Sequence, residues 1–372
     1  MTSIPLLVPY MPTTDQVVKY FRQIDSNRKY TNFGPLCAEF ESRVAAVATD
    51  ASSTAYASSV ANCTLGIELA LLALDLAPGS RVLLPSVTFA ATATAVIRSG
   101  MTPVFADVDP GTWALTPDIA RSVLQVSSVS AVLPVSTFGY AHDASQWDAF
   151  TLQTGVPVII DAAGAFGNQR VGETTDVVFS FHATKSFGAA EGGAVVSSVQ
   201  HRVDRIRKLS NFGLDTSTGL LDEIGTNAKM SEYHCALGLA SFDHWERIKS
   251  ERIELYRHYS QRASEACERV VLQTKSPDGV YPLFPVLLPE GCSARDASAW
   301  LSTRGIETRG WYSPPLHLHP ALRDADTAGT LEVCENIGGR IIGLPFFVDM
   351  SELQIEAVLR ELAAWLADQG AY

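Results

Sequence analysis

The amino-acid sequence predicts an α/β protein with a large domain, built on a mostly parallel central sheet flanked by helices, and a smaller C-terminal α+β domain. From residue 54 to residue 196, short β-branched runs alternate with helical patterns, as expected of βαβ units. The runs are apolar on both faces, which is typical of strands covered by helices on each side. Because 372 residues exceed the roughly 250 that one core usually serves, we expect two domains, at residues 1–245 and 246–372.

Each element follows from a local pattern. The predicted strands of the large domain cover residues 54–57, 81–85, 102–108, 130–135 and 156–161. Helices are predicted between them at 62–76, 88–99 and 116–126, and around Trp147. After residue 200 helices dominate, at 200–209, 230–248, 250–270, 294–304, 330–340 and 351–368, with one strand at 283–288.

Composition and charge narrow the classes of function. The chain has 28 basic and 40 acidic residues and no basic block, which argues against nucleic-acid binding. The apolar stretch at 65–77 contains Glu68 and Asp75 and is shorter than the roughly 20 residues of a membrane span. No signal peptide is predicted. Six scattered cysteines without a CxxC pair indicate reduced thiols, and the histidine spacing indicates no metal site, so we expect a cytoplasmic protein.

Polar residues follow the predicted strands at the edge where open parallel sheets bind ligands. Asn62, Cys63 and Thr64 precede a helix, whose free N–H groups and positive dipole end suit a phosphate. The alternative is that these residues only cap the helix. Asp161 ends an apolar strand, where a carboxylate needs a cationic or hydrogen-bonding partner, although it too can be an ordinary loop cap.

The segment 177–196 is the most informative part of the chain. Two strand-like runs flank Ser180, His182 and Lys185. Lys185 lies among apolar and small residues, so its pKa should fall below the usual ~10.4, unless its ammonium simply reaches solvent. An aldehyde cofactor bearing a phosphate needs an amine, a phosphate-binding helix end and a carboxylate for its ring nitrogen. The chain offers a residue or segment for each: the amine of Lys185, the carboxylate of Asp161 and the helix start at Asn62–Thr64, each at the end of a predicted strand or after it.

With these residues the chain resembles the DegT/DnrJ/EryC1/StrS family of pyridoxal-phosphate-dependent sugar aminotransferases, which have fold type I, the aspartate aminotransferase fold. The family landmarks occur in family order from about residue 30 to the last helix. They are Tyr30-Thr-Asn-Phe-Gly-Pro, Asn62-Cys-Thr, Pro85-Ser-Val-Thr-Phe89, Pro103-Val-Phe-Ala-Asp-Val-Asp109, Asp161-Ala-Ala, Ser180-Phe-His-Ala-Thr-Lys185 with Glu191-Gly-Gly, Gly225-Thr-Asn227-Ala-Lys229 and Pro315-Leu-His317.

The resemblance implies a transaminase that uses pyridoxal 5'-phosphate (PLP) in a homodimer with shared active sites. Lys185 would bind the cofactor covalently and shuttle a proton, and Asp161 would pair with the ring nitrogen. Phe89 would stack on the ring, and Asn227 would reach the phosphate in the partner subunit. The other implied cofactor contacts are Asn62, Cys63, Thr64, Ser180 and His182. As alternatives, Phe89 is a core residue, Asn227 a turn residue and His182 a packing residue.

The family's reaction would transfer an amino group, from L-glutamate, to a keto group of a nucleotide-linked deoxysugar. Because the net charge is −12, local cations must receive the diphosphate. The substrate-binding candidates are Arg28, Lys29, Phe33, Lys229, Arg309 and His317. Alternatives are a non-sugar ketone such as a cyclitol, the family's dehydratase branch, and a non-catalytic regulatory homologue. The dehydratases have histidine at the position of Lys185, and a regulator is expected to lack Lys185 or Asp161 or to have a DNA-binding appendage.

Two positions depart from the family pattern. Gly164 stands where the family commonly has histidine or glutamine, and Ser136 stands where it often has histidine. We expect Gly164 to remove a hydrogen-bond donor and to open space above the ring edge. Both departures leave the identity of the acceptor open.

Overall fold

The computed structural model describes residues 3–50 and 53–370, so the outermost residues of both predicted domains lie outside it. The helices are α1 (Thr14–Asn27), α2 (Pro35–Val47), α3 (Cys63–Leu72), α4 (Ala90–Arg98), α5 (Pro117–Val126), α6 (Ala144–Thr154), α7 (Gln200–Ser210), α8 (Glu232–Phe242), α9 (Trp245–Ala266), α10 (Ala294–Ser302), α11 (Glu332–Gly338) and α12 (Glu352–Asp368). The strands are β1 (Tyr56–Val60), β2 (Arg81–Pro85), β3 (Thr102–Ala106), β4 (Ala131–Val132), β5 (Ile159–Asp161), β6 (Asp176–Ser180), β7 (Gly193–Ser197), β8 (Val271–Leu272), β9 (Phe284–Leu287), β10 (Arg309–Gly310), β11 (Asp326–Thr327) and β12 (Ile341–Leu344).

The first sheet is mostly parallel, as predicted. Its two rows have the orders β1-β7-β6-β5 and β4-β2-β3-β11, and parallel bridges from Val132 to Val158 and from Val135 to Asp161 join them. Strand β7 runs antiparallel to both neighbours, because the 181–192 segment returns the chain without a crossover helix. This hairpin places Lys185 at the carboxyl end of β6. The predicted α/β architecture is therefore confirmed.

A second, antiparallel sheet has the order β10-β12-β9-β8. Its apolar face shares a buried cluster with residues of α9, α10 and α12. The sequence predicted only β9 of these four strands. Strands β8 and β10 have two residues each and no readable pattern, and β12 is a four-residue strand directly after the helix predicted at 330–340. The helix predicted at 230–248 is divided in the structure, since His244 has a non-helical conformation (φ −117°, ψ 1°) between α8 and α9.

The chain also crosses back between the two sheets. Strand β11 pairs in parallel with β3 at the edge of the first sheet, and Ile4 forms a bridge to Ile306 beside the second sheet. The domain boundary at 245/246 stays a prediction, and α9 begins at Trp245. Across the described ranges, no helix is both long and apolar enough to cross a membrane.

Candidate active site

A cavity of about 450 Å³ lies at the edge of the first sheet where the carboxyl ends of β1, β2, β5 and β6 meet. Residues 282–283 and 309–312, from the later part of the chain, close another side. Its volume is that of a typical small-molecule site. The predicted site residues that line it are Asn62, Cys63, Thr64, Phe89, Asp161, Ser180, His182, Lys185 and Arg309.

Asp161 is a buried carboxylate at the end of β5, with an exposed fraction of 4%. Its Oδ2 accepts a 2.7 Å hydrogen bond from Thr92 Oγ1, and its Oδ1 accepts one of 3.1 Å from Ala163 N. Burial raises the pKa of Asp161, while these hydrogen bonds and the positive charge of Lys185 oppose the rise. No lysine, arginine or histidine within residues 3–50 and 53–370 forms an ion pair with it. The carboxylate can therefore still accept an N–H from a ligand.

Lys185 lies in the hairpin between β6 and β7, where its backbone N–H donates to the carbonyl of His182 at 2.9 Å. The residue is half-buried because one side of it faces the cavity. Burial lowers the pKa of Lys185, and the nearby Cys63 and Asp161 act in the opposite direction. A lowered pKa increases the fraction of free amine, which is the nucleophilic form.

The N-terminus of α3 lies at the cavity, where Asn62, Cys63 and Thr64 line the wall. Asn62 Oδ1 accepts a 2.9 Å hydrogen bond from Leu65 N, so the side chain of Asn62 does cap the helix. The N–H groups of Cys63 and Thr64 make no hydrogen bond within the part of the chain that the structure describes. Gly193 permits this arrangement, since a Cβ there would lie 2.8 Å from Cys63 N. The capping and phosphate-binding interpretations of this segment are thus compatible.

Three further predicted residues face the cavity in different ways. The ring of Phe89 is 57% exposed at the start of α4, so Phe89 is not a core residue. Ser180 Oγ accepts from His182 N at 3.4 Å. His182 is an exposed residue whose Nδ1 is 2.8 Å from Thr184 Oγ1, and its Nε2 lies 3.7 Å from Glu191 Oε1. His182 therefore lies on the solvent side of the cavity, beside an acidic side chain.

The structure does not bring the other candidates to this cavity. His317 is tied to Ser86 Oγ, 2.6 Å from Nδ1, and to Glu335 Oε1, 3.2 Å from Nε2. The guanidinium of Arg207 lies 4.6 Å from the ring centroid of Phe33. The candidates outside the cavity of their own chain are Arg28, Lys29, Phe33, Asn227, Lys229 and His317.

Gly164 lines the cavity, and the space that it leaves above a cofactor ring stays a prediction. A Cβ at Gly164 would lie 3.3 Å from Gly139 N and 3.5 Å from Pro282 Cγ, so a side chain there would fit closely against these two neighbours. Ser136 is buried, and its hydroxyl donates to Gln169 Oε1 at 3.3 Å. Gly139 and Pro282 therefore pack closely beside Gly164 at the cavity wall.

Several residues in the cavity wall or directly behind it were missed from the sequence. Thr92 holds Asp161, and Thr88 Oγ1 lies 2.9 Å from Thr92 Oγ1; their i, i+4 spacing after β2 was an available signal. Phe138, Trp311 and Tyr312 form an aromatic wall, with ring centroids of Phe138 and Tyr312 5.4 Å apart. No local pattern marks these aromatic residues, because they meet only in the folded chain.

The arrangement fits PLP. A ring nitrogen needs a buried acceptor such as Asp161, and an aldehyde needs a free amine such as that of Lys185. A phosphate suits the two unbonded N–H groups at the start of α3, whose dipole favours negative charge. Phe89 offers an exposed aromatic face beside them.

The sequence model of the DegT/DnrJ/EryC1/StrS aminotransferase family matches residues 13–363. Protein Rv3402c of Mycobacterium tuberculosis is 30% identical over an alignment of 381 positions, gaps included, that covers 96% of this chain and 89% of the relative. A structure from Bacillus cereus ATCC 10987, described as a PLP-dependent aminotransferase, has a TM-score of 0.90 at 29% identity and covers 97% of this chain and 99% of that one. The structure of DesI in the presence of its TDP-sugar product has a TM-score of 0.85 at 32% identity, covering 99% and 94%. The predicted fold type I is thereby confirmed.

Proposed function

This chain belongs to the DegT/DnrJ/EryC1/StrS aminotransferase family and is a PLP-dependent aminotransferase, and we propose that it transfers an amino group from L-glutamate to a keto group of a nucleotide-linked deoxysugar. One observation carries the assignment of residues: a single cavity contains the amine of Lys185, the carboxylate of Asp161 and the N-terminus of α3. Both residues whose loss we would expect in a regulatory homologue are present, and Lys185 argues against the dehydratase branch.

Each residue of the cavity has its own role in the proposed transamination. Bound PLP supplies an electrophilic aldehyde and an electron-withdrawing ring. Lys185 Nζ offers a free amine and then accepts and returns a proton at the reacting carbon. Asp161 accepts the ring N–H and keeps that nitrogen protonated, while Thr92 orients the carboxylate. The N–H groups of Cys63 and Thr64 hold the phosphate.

The walls of the cavity support a sugar nucleotide as the acceptor. Phe138, Trp311 and Tyr312 offer flat apolar surface against which a ring can pack. The Cζ atom of Arg309 lies 4.4 Å from the centroid of the Trp311 ring, and its cation can receive a phosphate at the cavity mouth. The structure of DesI in the presence of its TDP-sugar product covers 99% of this chain and 94% of DesI.

The loop between α7 and α8, residues 211–231, supports a dimer with shared active sites. Apolar side chains of this loop are solvent-exposed, Leu220 by 63% and Ile224 by 83%. Asn227 and Lys229 follow them and do not line the cavity of their own chain. Exposed apolar surface of this kind marks an interaction site. We propose that the loop packs on a second copy and that Asn227 reaches the cofactor phosphate there.

The substrate proposal is tested by incubating holoenzyme and L-glutamate with dTDP-, UDP- and GDP-linked 3-keto and 4-keto deoxysugars and with a keto-cyclitol. Mass spectrometry should detect an aminated product from at least one nucleotide sugar, and none with Lys185→Ala. Amination of the cyclitol alone would overturn the sugar-nucleotide assignment.

The dimer proposal is tested by complementation of inactive variants. Mixing Lys185→Ala with Asn227→Ala should restore activity, because one site of each hybrid has both residues. Mixing Lys185→Ala with Asp161→Asn is the matched control and should restore none, because both residues act in the same subunit. Equal results from the two mixtures would exclude a site shared through Asn227.

We also propose a cytoplasmic location. All six cysteines are buried, free thiols, which suits a reducing compartment. Fractionation of the producing cells checks this directly.

A further inference from the structure

We propose that the hydroxyl of Tyr312 donates a hydrogen bond to an oxygen of the acceptor substrate, and that Gln273 and Lys275 position Tyr312 through the turn at residues 137–139. This inference rests on the proposed function, since it names a contact of the same acceptor. It adds a specificity residue and two positioning residues that the sequence did not indicate.

The turn at Thr137–Gly139 is a short 3-10 segment held in an unusual conformation. Phe138 has φ 54° and Gly139 has φ 86°, both in the left-handed region that non-glycine residues rarely adopt. Such a backbone persists only where its surroundings determine it. The structure supplies those surroundings from a distant part of the sequence.

Three successive carbonyls of this turn each accept a hydrogen bond from a side chain. Gln273 Nε2 donates to Thr137 O at 3.1 Å, Lys275 Nζ donates to Phe138 O at 3.2 Å, and Asn168 Nδ2 donates to Gly139 O at 3.1 Å. Gln273 also donates to Thr112 O at 2.7 Å. Two of the three donors, Gln273 and Lys275, directly follow β8 of the second sheet. The second sheet therefore helps to hold a wall of the cavity that lies at the edge of the first sheet.

Lys275 is an unusual residue to find at this position. Its ammonium lies 3.8 Å from the ring centroid of Tyr281 and 5.0 Å from that of Tyr256. It forms no salt bridge within the described part of the chain, and burial lowers its pKa well below the usual value. An ammonium buried without a carboxylate costs folding free energy, so this environment favours the neutral amine, which can still donate a hydrogen bond. The hydrogen bond from Lys275 Nζ to Phe138 O is the polar contact that Lys275 makes with the turn.

The clamped turn places Tyr312 through Phe138. The two rings stack, with centroids 5.4 Å apart and an interplanar angle of 22°. Trp113 packs edge-on against the same Phe138 at 6.2 Å, and Trp311 contacts Tyr312 at 5.8 Å. A shift of the turn would therefore shift the phenol of Tyr312.

The hydroxyl of Tyr312 is free to serve a ligand. Tyr312 lines the cavity, and its hydroxyl has no hydrogen-bond partner among residues 3–50 and 53–370. Burial and the negative charge of Asp161 raise the pKa of Tyr312 above its usual value, while Arg309 opposes the rise. The phenol stays protonated at neutral pH and is a donor. The hydroxyl and phosphate oxygens of a sugar nucleotide are suitable acceptors.

The experiment separates the two half-reactions of the holoenzyme. Conversion of the bound cofactor by L-glutamate is followed by absorbance, and kcat/KM is measured for the keto sugar that wild type aminates fastest. Tyr312→Phe should lower acceptor kcat/KM by about 3- to 10-fold and leave the glutamate half-reaction unchanged. Lys275→Met and Gln273→Met should give smaller losses in the same acceptor parameter.

Coupling is tested in double variants. If Lys275 and Gln273 act through Tyr312, their substitution in the Tyr312→Phe background should cause no further loss. Unchanged acceptor kcat/KM in Tyr312→Phe, or an equal loss in the glutamate half-reaction, overturns the role of Tyr312. Fully additive losses overturn the positioning role. A wild-type enzyme that reacts with glutamate but aminates no keto sugar refutes instead the proposed function.

Discussion

Asp161→Asn is the substitution that isolates the charge of the buried carboxylate from its shape. Asparagine keeps an oxygen for the N–H of Ala163, now 3.1 Å from Oδ1, and its amide can meet the Thr92 hydroxyl that lies 2.7 Å from Oδ2. The cavity should therefore keep its form. What is lost is the negative charge that we propose pairs with the ring nitrogen of PLP.

The expected loss of PLP affinity follows from the interaction between Asp161 and the ring nitrogen alone. A hydrogen bond to a charged group contributes about 1.5–3 kcal/mol, so cofactor affinity should fall by roughly 10- to 150-fold. The stability of the apoprotein should change in the opposite direction. A carboxyl whose folded-state pKa is raised loses folding stability as pH rises from the ordinary aspartate value through the raised one. At neutral pH the apo Asn variant should thus be at least as stable as apo wild type.

The assay is titration of apoprotein with PLP, followed by absorbance or tryptophan fluorescence, with thermal unfolding of the apo forms alongside. Asp176→Asn is the matched control, because Asp176 is equally buried but pairs with Arg202 at 3.2 Å, outside the cavity. It should leave PLP affinity unchanged. Unchanged affinity in Asp161→Asn would refute the role given to this carboxylate.

Three further predictions follow from the same geometry. Thr92→Val removes the donor to Asp161 Oδ2 and should weaken PLP binding by about 3- to 10-fold in the same titration; no change would exclude an orienting role. Gly139→Ala would put a Cβ 3.0 Å from Gly164 O at φ 86°, so urea unfolding should show a loss of about 1–3 kcal/mol. Gly100→Ala, at φ 74° with open space around it, should cost less, and equal losses would contradict the packing argument. Because burial lowers the pKa of Lys185, its acylation in apoprotein should reach a plateau at lower pH than that of free lysine, as read by peptide mapping. A plateau at the ordinary pH would contradict that pKa.

The sequence predicted those parts of the molecule that local patterns encode. Strand β2 has the predicted bounds, and the alternation of strands with helices gave the correct sheet edge for the site. The sequence indicated Asp161 because it ends an apolar strand and Lys185 because it follows one, and the structure places both at one cavity. Side chains at strand ends converge wherever parallel strands share an edge, so their meeting needed no knowledge of distant contacts.

The remaining features depend on long-range packing that no short window contains. Tyr312 reaches the cavity only because the second sheet packs against the first, and Gln273 acts on a turn 136 residues earlier. The close approach of Gly139 and Pro282 to Gly164 could not be predicted, because Pro282 is remote from Gly164 in sequence and Gly139 is 25 residues away. Asn227 and Lys229 lie outside the cavity of their own chain, so their predicted roles depend on a second copy.

The most direct test of the account is the identity of the lysine that binds PLP. Borohydride reduction of the holoenzyme should bleach its visible absorbance and attach the cofactor permanently to one peptide, the one containing Lys185, with no label in Lys185→Ala. Lys275 of the same chain serves as the control lysine. Its pKa is also lowered by burial, but it lies behind the cavity wall. Label on Lys275, or cofactor that borohydride cannot attach to the protein, would contradict the central claim.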